Sequence, residues 1–560
     1  MFESKNEVVL KTDVLIIGGG SAGTMAALAA RKKGLEVILV DKANINRSGC
    51  GAAGNDHFMA VLESGPDWDT PEAFLAWYKR LTQGLVDSKV VEKVFTSRIK
   101  GLVEYLENIG IQMRIDTKNN DFIRTKSFAQ PGEYFINFDG RSLKPIVSKE
   151  AEEAGVKCVR QVYITDLIKQ EERVIGAVGF NIRNGDSYIF EAPAVILATG
   201  NVSRMYRNPS GLPFNAWHSP YNNGSAQAMA YKAGADLKNM EFVNYTLTPK
   251  NFSASALNAI VGMGGYIVNS LGERYVLKYH EQGEQGPRWT MPWGTYWELK
   301  EGRGPCYFDV RHLSDEAIEH LLTHLLPVDK NTFMDYCNQK GLDLKKDLLE
   351  IQICEGQLPA FVGSVTGIHI DENCLTTVPG LYAAGGCAVS ICNLAGSMAV
   401  GGAAGESAAD EILRDRIEVK LDQEKIAELK ARAFEPLKRA NELEESRFEG
   451  KLHQIMADYV GIGRTKLGLE TGLEELKKLN DLTSILGATD GHVLMRVHEA
   501  QDMLLLAELI TKGALTREES RFGLSHYRGD YPDTNPEWHV SLHQSLKDGV
   551  PMMKKVAAYK

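Results

Sequence analysis

The sequence predicts an α/β fold in which a doubly wound nucleotide-binding domain is interrupted by an inserted α+β segment and followed by a helical domain. The prediction rests on three apolar strands that each end in glycines or a small-residue turn, over residues 14–17, 194–197 and 381–384. Continuous apolar strands of this kind are typical of a parallel sheet covered on both faces. At 560 residues the chain is too long for one core, so we expect about three or four domains or subdomains.

Composition and charge argue against two classes of protein. The 63 Lys and Arg residues and the 73 Asp and Glu residues give a net charge of −10, which is unfavourable for a general nucleic-acid binder. Residues 1–13 are charged and lack the apolar core of an export signal. No stretch reaches the roughly 18 consecutive apolar residues of a transmembrane helix. We therefore expect a cytoplasmic protein with no transmembrane segment and no nucleic-acid partner.

The eight cysteines are scattered along the chain and include no C-x-x-C pair. This spacing predicts neither an internal iron–sulfur cluster nor a structural metal site, and scattered thiols are typical of a reducing compartment. If the chain exchanges electrons with iron–sulfur centres, we expect those centres on another polypeptide.

The first forty residues carry the pattern of a dinucleotide-binding unit. A buried strand, an Ala-rich helix over residues 24–33 and a second strand over 36–40 surround glycines in G-x-G-x-x-G register. Gly18 permits the tight turn, Gly20 lets a pyrophosphate approach the backbone, and Gly23 allows the helix to pack closely on the strand. The helix N-terminus attracts phosphate, and Asp41 at the end of the second strand is placed to bind a ribose hydroxyl pair.

Motifs later in the chain extend this unit and predict the two-part, Rossmann-like fold that binds FAD. This fold accounts for the order of the motifs better than the simpler fold of an NAD dehydrogenase does. A small-residue segment over 42–54 offers the Ser48 hydroxyl, and two further glycine-containing turns follow strands much later in the chain. A helix beginning near Gly396 would bring a second N-terminus to the flavin, where it stabilises negative charge on the reduced ring. The predicted FAD-binding residues are Gly18, Gly20, Ser21, Ala22, Gly23, Asp41, Lys42, Ser48, Gly49, Gly51, Ala53, Gly54, Ala198, Thr199, Gly200, Gly385, Gly386, Gly396 and Ser397.

The rest of the chain divides by composition. Residues 70–109 have helical periodicity, 130–200 are β-rich and form the predicted β-meander, and 415–515 have the spacing of a three- to four-helix bundle. We predict an FAD-binding domain in two parts (1–239 and 356–414), a capping domain that binds substrate (240–355), a helical domain (415–515) and a C-terminal tail (516–560). We expect the tail to pack back irregularly.

Ordered motifs over nearly the whole chain resemble the flavoprotein subunits of the succinate dehydrogenase/fumarate reductase superfamily, which includes L-aspartate oxidase and the adenylylsulfate reductase α-subunit. Besides the glycine-rich signals, the motifs are at residues 240–243 (MEFV), 264–269 (GGYIVN), 308–313 (FDVRHL), 519–521 (ESR) and 526–532 (HYRGDYP). The resemblance implies an FAD domain, a mobile capping domain over the flavin and a C-terminal helical domain.

The substrate positions depart from the fumarate-reducing members of that superfamily. Those members hold the dicarboxylate with two histidines, a Thr-Glu pair and an arginine, and protonate it with a second arginine. The matching segments here are 246–248 (TLT), 257–258 (LN), 362–367 (VGSVTG) and 393–396 (NLAG), so both histidines, the glutamate and one arginine are missing. Only Arg288 matches, at the acid–base arginine. Because an unpaired buried carboxylate is costly, we expect that neither fumarate nor succinate is the substrate.

The attachment of FAD and the partner are implied by the same resemblance. Covalent members attach FAD through a histidine that Arg47-Ser48-Gly49 lacks, so we expect noncovalent FAD. This feature and the missing clamp bring the chain closest in character to the adenylylsulfate reductase α-subunit, as a divergent member. The substrate is then expected to be small and acidic, and the partner to be a ferredoxin-like iron–sulfur subunit.

Candidate catalytic residues follow from the same comparison. Arg288 is expected to stabilise developing negative charge, which is the natural role of a permanently protonated group. Further candidates are Asn55, His57, Trp217, His218 and Lys250. Two other functions stay open at this point. One is a stand-alone oxidase or enoate reductase of the L-aspartate oxidase type, and the other is an electron-transfer subunit without a small substrate.

Overall fold

The centre of the fold is a five-stranded parallel sheet. The computed structural model describes residues 6–558 apart from 54, 56, 117, 127–129, 213, 217, 254–255, 330–331, 359–364, 390 and 392, and at 53, 328 and 329 it describes the backbone alone. The strand order is Leu381–Ala383, Ala194–Leu197, Val14–Ile17, Val37–Asp41 and Lys157–Arg160. Ile16 pairs with Ile196 on one side and Leu39 on the other. The three predicted apolar strands are therefore adjacent in one sheet.

Two helices cover this sheet in close contact. The first helix, Ser21–Lys32, begins at the glycine turn, and the helix Leu394–Arg414 packs against it. A Cβ atom at Gly401 or Gly405 would lie 2.2 Å from the carbonyl oxygen of Ala22 or Ala26. The glycines of the second helix therefore allow the two backbones to touch, which explains why this part of the sequence is rich in small residues.

The predicted β-meander is a second sheet of four strands, in the order Glu7–Lys11, Ser187–Glu191, Arg173–Asn181 and Val162–Gln170. A three-stranded sheet, in the order His57–Met59, Phe135–Asn137 and Ile123–Thr125, lies in the same part of the chain. The helices here are Pro71–Leu81, Ser88–Val91, Ile99–Asn108, Leu143–Glu153 and Ser225–Lys232. The N-terminal region is thus α/β, as predicted.

The inserted segment has its own hydrophobic core. Its antiparallel sheet has the order Leu247–Pro249, Leu349–Ile353, Cys306–Asp309 and Tyr266–Val268. Its helices are Leu257–Gly262, Thr290–Lys300, Asp315–His320, Leu326–Asp329 and Phe333–Lys340. The cluster of buried side chains built from these elements runs from Leu247 to Ile351 and is separate from the main core.

The C-terminal region contains the helices Gln423–Phe434, Glu445–Tyr459, Lys466–Asp481 and Gly491–Thr516. The prediction of an irregular tail is wrong, because Val540–Lys547 and Val550–Ala557 form a β-hairpin. This hairpin joins Leu237–Lys238 and Gly367–Ile368 in an antiparallel sheet and so ties the tail to the body of the protein. None of the helices in the described ranges is long and apolar enough to span a membrane.

Two of the recognised motifs meet in a buried ion-pair cluster. The Arg517 guanidinium donates to the Glu241 carboxylate at 2.7 Å and to Glu519 at 3.0 Å. Arg521 donates to Glu519 at 2.7 Å. All of these side chains are almost fully buried. The MEFV and ESR motifs therefore join the C-terminal region to the FAD-binding region and lie outside the cavity described next.

Candidate active site

A cavity of about 580 Å³ lies at the carboxyl ends of the parallel strands. Ligands of open α/β sheets bind at this edge. Its walls come from the glycine turn, the segment around Ser48, the Ala198-Thr199-Gly200 turn and the helix Gly491–Thr516. The predicted site residues that line it are Gly18, Gly20, Ser21, Ala22, Asp41, Lys42, Ser48, Gly49, Gly51, Asn55, His57, Ala198, Thr199, Gly200, His218, Gly386 and Ser397.

Gly18 and Gly20 are glycines for different reasons. Gly18 has φ +108°, and a Cβ there would lie 2.5 Å from the carbonyl oxygen of Ala198. Gly20 caps the first helix with φ −69° and ψ −173°, which any residue adopts. A Cβ at Gly20 would meet only the Cα of Gly49, at 3.8 Å. The backbone conformation and packing of the protein thus require glycine at position 18. At position 20 no protein atom excludes a side chain, so a glycine there is consistent with a ligand that approaches the helix N-terminus.

Asp41 is held rigidly at the edge of the cavity. Its Oδ2 atom accepts the Gly19 backbone N–H at 2.6 Å, and its Oδ1 atom accepts the Ala43 N–H at 2.6 Å. A carboxylate has about four acceptor positions, so two remain for a ribose hydroxyl pair. Among the described residues that line the cavity, Asp41 is the one acidic side chain.

Ser48 supplies the test of whether this cavity suits FAD. Its hydroxyl is buried, lines the cavity and has no hydrogen-bond partner among the described residues. A buried hydroxyl without a partner is unfavourable, so a ligand atom is its natural partner. Together with the free helix N-terminus and Asp41, this arrangement fits FAD. When bound, FAD supplies two-electron chemistry at its ring.

Lys42 lines the cavity, but its ammonium group is engaged elsewhere. It donates to the Tyr221 carbonyl at 2.7 Å and to the Glu499 carboxylate at 2.5 Å. Glu499 also accepts from Arg204 at 2.7 Å and from Arg496 at 3.0 Å. Burial raises the pKa of Glu499, but Lys42 and the two guanidinium groups lower it to about 2. Lys42 therefore joins the cavity wall to the C-terminal helices, a contact that its sequence position does not predict.

Three predicted FAD-binding glycines support the wall without lining it. A Cβ at Gly23 would lie 1.8 Å from the Gly18 carbonyl oxygen, and one at Gly396 would lie 2.1 Å from the Ile391 carbonyl oxygen. Gly385 has φ +71°, and a Cβ there would lie 2.7 Å from the Cβ of Ala22. Ala53 belongs to the short helix Cys50–Ala53. Gly54 and Trp217 lie outside the described residues.

Arg288 extends from the inserted segment to the cavity wall. Its Nη2 atom donates to the Thr246 hydroxyl at 2.6 Å, and its Nη1 atom makes a long hydrogen bond of 3.4 Å to the Asn258 amide oxygen. Asn258 itself lines the cavity. Three of the positions that we aligned with the substrate site are thus adjacent in space, and Thr246 and Asn258 are both neutral partners of the arginine.

His218 lines the same wall and is neutral at physiological pH. Burial, followed by the nearby charge of Arg288, lowers the pKa of His218 to about 4. Its Nδ1 atom lies 2.8 Å from the side-chain nitrogen of Asn201. His218 and Arg288 come from different segments of the chain, and the fold brings them near enough for the charge of Arg288 to act on His218.

The remaining candidates differ in position. Asn55 and His57 line the cavity, and the His57 ring packs edge-on against Phe135 with centroids 4.7 Å apart. Lys250 does not line the cavity, because its ammonium group donates to the Glu350 carboxylate at 2.5 Å on the surface of the inserted segment. Lys250 directly follows the strand Leu247–Pro249, and Glu350 lies on the neighbouring strand Leu349–Ile353.

Several polar residues of the wall are absent from the sequence-based prediction. Asn201 immediately follows the Ala198-Thr199-Gly200 turn, and Asn222 contacts it. Cys50 lies in the segment after Ser48 and contacts both. Asn201 and Cys50 could have been predicted from the sequence, because each lies next to a glycine-containing segment of the site. Asn222 belongs to no motif and could not.

Comparison with protein families accounts for most of the chain. Residues 13–404 match the family of FAD binding domains, and residues 449–555 match the family described as fumarate reductase flavoprotein C-term. The chain belongs to the succinate dehydrogenase/fumarate reductase flavoprotein superfamily. This superfamily member is an FAD-dependent oxidoreductase of the fumarate reductase and succinate dehydrogenase flavoprotein type, so the predictions of FAD and of the fold class are confirmed.

Individual relatives cover almost the whole of this superfamily member. One subunit of the fumarate reductase (CoM/CoB) of Methanothermobacter marburgensis is 28% identical over 558 residues, which is 95% of this chain and 96% of the relative. The L-aspartate oxidase of Yersinia pestis is 26% identical and covers 94% and 97% of the two chains. The structure of adenylylsulfate reductase from Archaeoglobus fulgidus aligns with a TM-score of 0.89 at 24% identity and covers 99% of this chain and 97% of its own. This last similarity concerns the fold.

Proposed function

We propose that the protein is the flavoprotein subunit of a reductase complex, in which noncovalent FAD exchanges electrons with a small anionic substrate and with an iron–sulfur partner. The observation that carries the proposal is the hydrogen bond between Arg288 and Asn258, at a cavity wall that also holds His218, whose pKa the charge of Arg288 helps to lower. Thr246, Asn258 and neutral His218 are hydrogen-bonding groups without negative charge, and Arg288 supplies a permanent positive charge. Such a wall favours an anion.

Arg288 has the role of binding the substrate anion and stabilising the negative charge that develops on it. A guanidinium group offers a planar pair of donors to carboxylate, sulfate or phosphate oxygens. The group is half-buried, so its interaction with an anion is stronger than at an exposed site. A proton delivered by arginine would require a relay, whereas charge stabilisation requires only its position.

Arg288 supplies one positive charge to this wall, which favours a substrate with one anionic group there over a dicarboxylate. Fumarate must be among the compounds tested, because one relative is named a fumarate reductase. However, the positions that would clamp a second carboxylate hold Thr246, Asn258 and Leu394. A second carboxylate would lose its hydration without gaining a charged partner, which costs several kcal/mol.

The iron–sulfur partner is supported by the scattered cysteines of this chain and by the Methanothermobacter marburgensis relative, which is named as one subunit of its enzyme. Noncovalent attachment is supported by the residues next to Ser48, because segment 47–51 carries no histidine. The Cys50 sulfur atom in this segment is hydrogen-bonded to Asn201 and Asn222. Acid precipitation of the holoprotein tests the attachment, since noncovalent FAD stays in the supernatant and covalent FAD makes the pellet fluorescent.

An anaerobic reoxidation experiment tests the substrate class. The flavin is reduced by a dithionite-reduced two-cluster ferredoxin, and its absorbance is followed after separate additions of fumarate, adenylylsulfate, simple enoates and oxygen. Reoxidation by a mono-anionic enoate supports the proposal and the argument from charge. Reoxidation by adenylylsulfate supports the proposed reductase but does not test that argument, because its phosphate and sulfate groups each carry a negative charge. Reoxidation by fumarate at a similar rate would contradict the argument from charge, and rapid reaction with oxygen alone would support the stand-alone oxidase.

Arg288→Ala is the matching variant. We expect this variant to retain FAD. Its reduced flavin should be reoxidised by the substrate at least about 100-fold more slowly, because one charge-stabilising donor in a closed site contributes about that much. Arg311→Ala is the control, since Arg311 is an arginine of the same inserted segment that is engaged in an ion pair with Asp309 at 2.8 Å. Unchanged turnover in Arg288→Ala would refute the role assigned to this residue.

A further inference from the structure

We propose that Lys144 is a positioning residue for FAD, whose buried ammonium group acts from behind the glycine turn on the negative charge of the bound pyrophosphate. The inference concerns the cofactor, so it does not depend on the substrate role assigned to Arg288. Lys144 belongs to none of the sequence motifs described above and does not line the cavity. Its hydrogen bonds show where its charge lies.

One hydrogen bond of Lys144 leads to the glycine turn. Its Nζ atom donates to the Thr24 hydroxyl at 3.1 Å, and that hydroxyl donates to the Gly20 carbonyl oxygen at 2.9 Å. Thr24 lies at the end of the first turn of helix Ser21–Lys32, and Gly20 is the N-cap of this helix. The ammonium group is thus added to the positive end of a helix, which is the end that binds phosphate.

A second hydrogen bond leads to the segment that carries Ser48. The Lys144 Nζ atom donates to the Ser148 hydroxyl at 2.5 Å, and this hydroxyl donates to the Ile45 carbonyl oxygen at 3.0 Å. The hydroxyls of Thr24 and Ser148 each give their single hydrogen atom to a carbonyl oxygen, so both accept from Lys144. The two bonds therefore fix the position of the charge relative to both segments of the cavity wall.

The Lys144 ammonium group is a buried cation without an adjacent counter-ion. Lys144 is 1% exposed, and both of its hydrogen-bond partners are neutral. Among the residues that the structure describes, no carboxylate pairs with it directly. Burial lowers the pKa of Lys144 to about 8, although the more distant groups of Asp41, Cys158 and Glu152 raise it. Because a buried charge without an ion pair is costly, a bound anion would stabilise this cation.

The pyrophosphate of FAD is the anion expected in front of this cation, because the glycine turn and the helix N-terminus bind phosphate. Two other cations line the cavity but are compensated in other ways. Glu499 neutralises Lys42, and water screens the exposed Arg47. Within the described part of the chain, Lys144 is therefore the buried cation beside the glycine turn that still lacks a paired anion.

Protonation of Lys144 and binding of FAD are then coupled. Toward Lys144, helix Ser21–Lys32 presents the Thr24 hydroxyl, the neighbouring strands present Asp41 and Cys158, and its own helix presents Glu152. With a pKa of about 8 in the protein without FAD, the ammonium group loses its charge as the pH rises past 8. The Kd for FAD should therefore rise about five-fold between pH 7 and pH 9.

The coupling can be measured on the protein without a variant of the site. Lysine labelled with ¹³C at its ε carbon is incorporated into the full-length chain, and the apoprotein comes from riboflavin-limited expression. The Lys144 signal, assigned by its loss in Lys144→Met, should titrate near pH 8 in the apoprotein and near pH 9 or above with FAD. By linkage, this rise corresponds to at least about 10-fold tighter binding of FAD by the charged form.

Lys238 is the internal control of this titration. Burial lowers the pKa of Lys238 to about 8 as well. Its ammonium group donates to the Leu85 carbonyl oxygen at 3.0 Å, and the residue does not line the cavity. Its midpoint should not change when FAD binds. A Lys144 midpoint that FAD leaves unchanged, or one that moves no more than the midpoint of Lys238, would overturn the inference.

Lys144→Met separates a role in FAD binding from a role in folding. The affinity for FAD should fall at least about 10-fold at pH 7, and the change in Kd between pH 7 and pH 9 should disappear. The apoprotein should be at least as stable to urea as the wild type, because methionine fills the space without burying a charge. Thr24 and Ser148 keep their own bonds to carbonyl oxygens.

Lys149→Met is the matched control, since Lys149 lies on the same helix, is 73% exposed and pairs with Glu153 at 3.3 Å. It should leave the FAD affinity and its pH dependence as in the wild type. If Lys144→Met instead destabilises the apoprotein and keeps the change in Kd between pH 7 and pH 9, Lys144 has only a structural role and the inference is refuted. None of these outcomes depends on whether Arg288→Ala loses turnover.

Discussion

Replacement of Gly20 by valine separates the requirements of the protein from those of FAD. Gly20 has an ordinary extended backbone, and its Cβ would be 3.8 Å from the nearest protein atom. The variant apoprotein should therefore fold with a thermal midpoint close to that of the wild type. The new methyl groups would occupy the space at the N-terminus of helix Ser21–Lys32, where the backbone N–H groups face the cavity.

The expected loss of affinity follows from the hydrogen bonds that valine would block. A hydrogen bond to a charged group contributes about 1.5–3 kcal/mol. Losing two phosphate contacts therefore costs about 3–6 kcal/mol, which corresponds to a Kd for FAD that rises by roughly 10²- to 10⁴-fold. Titration of the apoprotein with FAD, followed by quenching of flavin fluorescence, measures this directly.

Two other glycines provide the comparison. Gly402→Ala in the helix Leu394–Arg414 is the neutral control, since a Cβ there has no heavy atom within 4 Å. Gly23→Ala is the opposite case, because its Cβ would lie 1.8 Å from the Gly18 carbonyl oxygen and the apoprotein should lose stability. Wild-type FAD affinity in Gly20→Val would refute the phosphate assignment. A stability loss as large as in Gly23→Ala would show that packing, and not the ligand, requires this glycine.

Two further predictions concern buried charge. Glu499→Gln leaves Lys42 and two arginines without their shared anion and should lower the free energy of unfolding by about 3–5 kcal/mol. Glu508→Gln on the same helix removes an (i, i+4) ion pair that is partly exposed and should cost no more than about 1 kcal/mol in the same urea titration. The pKa of His218 and that of His369 are both lowered to about 4 by burial, so the free energy of unfolding should fall as the pH drops from 6.5 toward 4. The free energy of unfolding falls because histidine in the unfolded chain binds its proton at a higher pH than in the folded protein. A pKa lowered from 6.5 to about 4 corresponds to a fall of up to about 3 kcal/mol per histidine. His369→Gln should flatten this slope, and an unchanged slope would contradict it.

The parts of the site that contiguous residues encode can be predicted from the sequence. The strand, the glycines and Asp41 lie within one short stretch, so their spacing alone determines a strand, a turn and a helix. Ser48 follows from the small residues around it. These elements need no knowledge of distant contacts, and the cavity is lined by nearly all of them.

The contacts that the sequence does not predict join residues that are far apart in the chain. Lys42 has the sequence position of a cofactor ligand, but its carboxylate partner Glu499 is 457 residues away. Lys250 is a candidate because of its charge, and the paired strand supplies Glu350 to neutralise it. The C-terminal hairpin escapes prediction because its outer strand contains Pro551 and lacks polar–apolar alternation. Such a sequence is tolerated at a sheet edge, where one side of the strand needs no partner.

The positions that the superfamily resemblance assigns to substrate binding carry other side chains in this protein but still lie together. Thr246 and Asn258 occupy the positions expected to bind the substrate and still meet Arg288. The fold therefore keeps these positions together although their side chains have lost both charge and imidazole groups. Because neutral donors around one guanidinium compensate one negative charge and not two, the proposed function predicts that the charge of the substrate is the property that this site selects most strongly.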